Sequence, residues 1–187
     1  MTINYYKSLK KKSEEYTPSE LASLVGFDEG LRISRGMLNN DEWDETLQEY
    51  AANLLEELRK KYPIQWNSSW KFDAFLGYAY HIILKYDERY AAYKRAVEKI
   101  TPPPPQLLIA MARCCWAPGV PPITEEEAIS LVKQALSKTI YYEGASLLRG
   151  LYKATGNAKE QAHWEVVLKN MEGKEVCLPS LDEVFDT

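Results

Sequence analysis

An all-α fold is predicted by three observations. Apolar residues recur at spacings of three and four, as at Trp43, Leu47, Tyr50, Leu54 and Leu58, which puts one stripe on one helix face. Long stretches rich in Ala, Leu, Glu and Lys favour helix, while only nine glycines occur in 187 residues and β-branched runs are scarce. A pattern also comes round three times: Leu76-Gly77-x-x-Tyr80, Met111-Ala112-x-x-Cys115 and Leu148-Arg149-x-x-Tyr152, with Cys115 following Tyr80 by 35 positions and Tyr152 following Cys115 by 37. A period of that size belongs to stacked helix pairs, none of which buries its apolar face alone.

The elements follow in order. The first dozen residues carry Lys7, Lys10, Lys11 and Lys12 with no apolar run and are expected to be loosely held. Thr17-Pro18-Ser19-Glu20 is a capping box with Pro at the first helical position, and it starts a short helix that ends near Gly26. A second short helix is expected over 28–36. Asn40 is expected to cap a long helix that bears the Trp43 to Leu58 stripe, acids in its first turns and Arg59, Lys60 and Lys61 in its last, until Pro63 ends it. Helices near 69–85 and 88–100 form the first hairpin, closed by Thr101 and four prolines. The second pairs a helix near 105–117 with one that Thr124 and Glu127 start as a capping box and that runs to about Lys138. The third pairs 141–155 with 158–171 across Gly156-Asn157, and Ser180 with Glu183 offers a last capping box.

Composition narrows the function. With 45% hydrophobic and 27% charged residues the chain is ordinary globular material, long enough for one domain. The net charge of −4 is unevenly spread: residues 1–65 carry 9 basic against 12 acidic residues, residues 66–171 carry 13 against 10, and the rest carry Lys174 against five acids. A nucleic-acid binder ordinarily shows a basic stripe and a high pI, which this chain lacks. No signal peptide and no run of about 18 apolar residues is read, and three cysteines, two of them adjacent, fit a reducing compartment. A cytoplasmic protein is expected.

Over roughly residues 66–172 the sequence resembles the tetratricopeptide repeat superfamily in degenerate form. Leu76, Gly77, Tyr80 and Pro102 match in the first repeat, Ala112 with Ala128, Val132 and Ala135 in the second, and Ala145, Leu148, Tyr152 and Gly156 in the third. Cys115 replaces an aromatic and Arg149 stands where a small residue is expected. The resemblance implies antiparallel helix hairpins stacked as a solenoid or an irregular helical bundle. It also implies three parts of one structural domain: an N-terminal helical segment over 1–65, three hairpins over 66–172, and an acidic capping tail over 173–187.

In that arrangement the first helix of each pair lines a groove. Helical spacing then presents Lys71, Phe75, Tyr78 and His81 from the first pair, Gln106, Ile109, Arg113 and Trp116 from the second, and Glu143, Ser146, Leu147 and Lys153 from the third. Cations among aromatics suit an acidic peptide or an acidic protein surface. A second surface is the acidic start of the long helix, Asp41, Glu42, Asp44 and Glu45, which would meet a basic partner. His81 and His163 lie on different helices without carboxylates at metal-ligand spacing, Cys114-Cys115 is no redox or metal motif, and no phosphate-binding loop occurs, so no cofactor or metal is expected. The expected function is protein–protein interaction without catalysis. A small acidic helical domain of this kind looks like a bacterial immunity protein that neutralises one toxin. A chaperone or adaptor holding an extended peptide is the alternative, and a small all-α enzyme a second one.

Overall fold

A computed structural model of the chain describes residues 3–39, 43–179 and 181. Among these the fold is all-α: eleven α-helices, one 3-10 turn and no strand. No described helix is long and apolar enough to cross a membrane. The chain divides into two compact units, Met1–Arg89 and Tyr90–Thr187. The division falls inside a helix of the first expected hairpin, not at the 65/66 or 172/173 boundaries read from the sequence.

The first unit is built on α4 (Glu45–Lys61), against which α2 (Pro18–Val25), α3 (Phe27–Leu38) and α6 (Trp70–Ile82) pack. A helix also occupies the N-terminal stretch expected to be loose: α1 (Ile3–Glu15) packs on α3 and α4. Leu9 is fully buried in it, while Lys7, Lys10 and Lys11 stay exposed. Thr17 accepts from the Glu20 N–H and Glu20 accepts from the Thr17 N–H at 2.8 Å, closing the capping box that starts α2.

The start of α4 differs from expectation. Asp44 is the N-cap, its Oδ1 accepting from the Leu47 N–H at 3.2 Å, and Trp43 lies outside the helix with φ 49° and 75% exposure. Asn40, expected as the cap, lies outside the described residues. The buried face of α4 is Leu47, Gln48, Ala51, Ala52, Leu54, Leu55 and Leu58. Gly30 of α3 lets that face approach: a Cβ built there would stand 2.7 and 2.8 Å from the Leu58 methyls. Beyond Pro63, a one-turn helix α5 (Pro63–Asn67) buries Trp66, and Phe27 sits edge-on to Tyr62, Trp66 and Phe72 with ring centroids 5.1 to 6.3 Å apart.

Helix α7 (Tyr86–Glu98) spans the boundary between the units. The second unit contains the helix pairs expected over 105–138 and 141–171. They are α8 (Pro105–Ala112) with α9 (Glu125–Ala135), and α10 (Tyr142–Ala154) with α11 (Ala158–Met171), α9 resting also on α10. The Thr124–Glu127 capping box opens α9. Helix α8 is shorter than expected because Arg113–Trp116 tightens into the 3-10 turn. Cys114 and Cys115 are buried in this unit and form no disulfide, and the Cys114 thiol donates to the Ala110 carbonyl. The Ser180–Glu183 box lies outside the described residues.

Two tests follow from the first unit. Gly30→Ala should destabilise the protein by about 1–2 kcal/mol, because overpacking against Leu58 outweighs the helix-propensity gain of the added methyl. With Leu58→Ala already in place, the same change should be neutral or stabilising, since the methyl then enters vacated space. Equal costs in both backgrounds, by urea unfolding, would refute the contact. The second test concerns Tyr50, whose hydroxyl donates to the Tyr16 carbonyl at 2.7 Å. Burial, helped by the nearby Glu20 charge, pushes its pKa up to about 12. The folded state therefore holds a proton that the unfolded chain releases near pH 10, so this contribution is complete below about pH 10 and lost up to about pH 12. Tyr50→Phe should start about 1 kcal/mol lower at neutral pH through the lost hydrogen bond, yet decline less steeply across that window. Parallel curves for the two proteins would show that Tyr50 ionises as freely folded as unfolded.

Candidate functional site

The twelve residues expected to line one groove divide between the units. In the first, Phe75 is core at 6% exposure and has no surface to offer, because α6 is buried nearly all round from Asp73 to Tyr80. Lys71 and Tyr78 are half-buried, and the Tyr78 hydroxyl donates to Asn39 Oδ1 at 3.4 Å. His81 is exposed with its Nδ1 3.0 Å from the Nη1 of buried Arg89, a pairing in which the guanidinium donates and Nδ1 accepts. The acidic alternative surface is also altered. Asp41 and Glu42 lie outside the described residues, and Glu45 is exposed on the first turn of α4. Asp44 is engaged as a cap and accepts from the Tyr6 hydroxyl at 2.9 Å and Lys10 Nζ at 3.3 Å. Burial works to raise its pKa, but these bonds outweigh it and hold the carboxyl below its usual range.

The first unit also carries an open cleft of about 330 Å³ lined by Thr17, Pro18, Ser19, Asn53, Glu56, Glu57 and Lys60. Its charges are spoken for: Glu57 pairs with Lys60 at 2.8 Å, and Glu56 takes Arg59 at 2.8 Å and the hydroxyl of Tyr80. The cleft is thus a salt-bridged helix surface.

In the second unit Ile109 is core, at 4% exposure, and reaches the backbone of α10 at Gly144, where a built Cβ would be 3.3 Å from its Cδ1. The groove reading assumed one continuous α-helix through residue 116. Leu147 is likewise buried, and Gln106 is half-buried with its Oε1 enclosed. Arg113, Trp116 and Lys153 are exposed, while Glu143 and Ser146 are half-buried.

Part of this set comes together on α10. Trp116 is 52% exposed, yet its indole lies on the helix: a Cβ at Gly150 would stand 3.3 Å from its Cζ2 and Cη2. Glu143, Ser146, Gly150 and Lys153 follow at spacings of three, four and three, so they share one face of α10, with Trp116 against its middle. Arg149 adds an exposed cation beside Gly150. At the other end of this face the segment after α11 runs extended. The Tyr142 N–H donates to the Val176 carbonyl at 3.0 Å, and the Leu178 N–H donates to Glu143 Oε2 at 3.2 Å.

Sequence reasoning missed Gly150, Tyr142, Val176 and Leu178. For Gly150 a signal existed, since a glycine inside a helix costs about 1 kcal/mol against Ala and calls for a packing reason. The clasp joins backbone groups of Val176 and Leu178 to the Tyr142 N–H and the Glu143 carboxylate, and the segment itself carries no residue signature for it. Among the described residues no group of three His, Cys, Asp or Glu is placed to hold a metal ion. His163 lies on α11 with its ring edge-on to Trp164, centroids 5.3 Å apart. No family model, no curated protein and no solved structure matches this chain.

The seat of Trp116 is directly testable. Gly150→Leu should lift the indole from the helix, raising the quenching of Trp116 fluorescence by acrylamide, with Trp116→Phe identifying its share of the emission. Stability should fall by no more than about 1 kcal/mol, since leucine favours helix and the ring is free to swing outward. Unchanged quenching would mean that the ring does not rest on Gly150.

Proposed function

We propose that this chain is a non-catalytic protein-interaction module, a bacterial cytoplasmic immunity protein that binds and neutralises one toxin through the α10 face of its second unit. The carrying observation is Trp116. A large aromatic is held half-exposed on a glycine, with cations exposed beside it, and interface hot spots are enriched in Trp and Arg. Such a ring costs little entropy to bind because its position is set before the partner arrives. The α8–α9 and α10–α11 pairs give this reading a tetratricopeptide-like frame, in which paired helices present residues from their first members.

A second reading, a chaperone or adaptor holding an extended peptide, is favoured by the clasp of Val176 and Leu178 on the start of α10. The two readings differ in partner. A toxin gives one stoichiometric complex, whereas a chaperone collects several clients or binds a short peptide.

The test is affinity capture of the tagged chain from its host lysate, followed by co-expression of what is captured. A single partner, toxic alone and harmless beside this protein, is the expected result. Trp116→Ala and Arg149→Glu should each abolish capture, the first costing about 1 kcal/mol of stability because the indole packs on Gly150 and the second less than about 0.5 kcal/mol, as surface substitutions do. Capture that survives both changes would remove the site, and a chain that captures nothing would remove the function.

A further inference from the structure

Resting on the partner-binding reading above, we propose that the α10 face from Glu143 to Lys153 seats an extended acidic segment of the partner, which displaces the chain's own residues 174–178 from its near end. The mode of binding is already present within the molecule. Helix α10 has no side-chain cap, and its orphan Tyr142 N–H is satisfied by the carbonyl of Val176 in an extended backbone. Two residues on, the Leu178 N–H reaches the Glu143 carboxylate. The start of α10 therefore reads main chain, one donor and one acceptor at strand spacing.

The occupant is lightly held. Residues 172–177 are all exposed, with Val176 at 47%, and Leu178 is half-buried, so the segment buries little beyond that one side chain when it lies there. A segment from another chain offering the same carbonyl and N–H meets the same partners.

What lies beyond the clasp selects among such segments. Along α10 the eleven residues from Glu143 to Lys153 span about 15 Å, a distance an extended chain covers in about four or five residues. About two-thirds of the way along it crosses the exposed indole of Trp116 on Gly150, a flat apolar platform. At the far end it meets Lys153, with Arg149 beside the platform, both exposed. A carboxylate placed four or five residues from the clasped backbone is thus favoured and a lysine there repelled.

The probe is a fluorescein-labelled peptide with the sequence of residues 174–187 and serine at Cys177, titrated into the full-length chain by anisotropy. It carries acids at Asp182 and Glu183, four and five residues beyond Leu178. Leu178→Pro in the protein removes the N–H that holds its own copy, so this variant should bind the peptide at least tenfold more tightly than wild type. Adding Lys153→Glu, or changing the peptide's Asp182 and Glu183 to Asn and Gln, should each reverse that gain. A Leu178→Pro protein that melts like wild type and does not bind, or binding indifferent to Lys153→Glu and to the neutral peptide, would overturn the proposal. Should it fail while Trp116→Ala still abolishes capture, the partner presents a folded surface and the reading of function stands; if both fail, the site is lost with it.

Discussion

The second unit depends on how closely helices approach α10, and Gly144 sets that distance. A Cβ at Gly144 would stand 2.7 Å from a Leu136 methyl and 3.3 Å from Ile109 Cδ1, so side chains from the end of α9 and from α8 rest on bare helix backbone there. Short helices are marginal in water and hold only when an apolar face is covered. The eight residues of α8 are covered because Leu107, Leu108, Ile109, Met111 and Ala112 all find neighbours in this core. Once α8 is fixed, the 3-10 turn at its end has no freedom to wander, and Trp116 arrives over Gly150, six residues along α10 from the first contact. The same device therefore places two things: glycine at 144 closes the core, and glycine at 150 carries the exposed ring.

The first unit solves the equivalent problem differently. Its centre is α4, whose buried face meets α2, α3 and α6, and Gly30 admits the tip of Leu58. Its surface polar groups are largely consumed in holding helix ends and neighbours together. Asp44 caps α4 and ties down α1, Tyr50 and Tyr62 donate to the carbonyls of Tyr16 and Ala22 at the ends of neighbouring elements, and Glu56 is shared between Arg59 and Tyr80. A surface so engaged must break internal bonds before it binds anything. The α10 face instead offers an apolar ring and exposed cations, which a partner meets at lower cost.

What the sequence made legible was local. Capping boxes at Thr17 and Thr124 were readable because both halves lie three residues apart and need no tertiary context. The hairpins over 105–138 and 141–171 were readable because loop residues such as Gly156 and Pro121 interrupt strong apolar periods. Trp43 misled because its spacing of four from Leu47 continues the helical stripe, although Asp44, read only as a first-turn acid, caps the helix and leaves Trp43 outside it. Helix α1 was missed because Lys7, Lys10, Lys11 and Lys12 interrupt and follow its few apolar residues, among them Ile3, Tyr6 and Leu9, before these extend into a stripe. Ile109 was assigned to a binding face by helical spacing from Trp116, but α8 buries Leu107, Leu108, Ile109, Met111 and Ala112 and so has no apolar face left to offer.

The clasp at α10 marks the limit of such reading most clearly. Tyr141 and Tyr142 are poor caps, and a helix opening on them leaves its first N–H groups unserved unless something distant supplies carbonyls. That deficiency is visible in the sequence, but the supplier is not, because any residue has a carbonyl. An uncapped helix start therefore acts as a socket of low sequence specificity. Its selectivity has to come from what stands farther along the same face. On α10 that is an indole and two cations, and their spacing along the helix, rather than the clasp, is what distinguishes one extended segment from another.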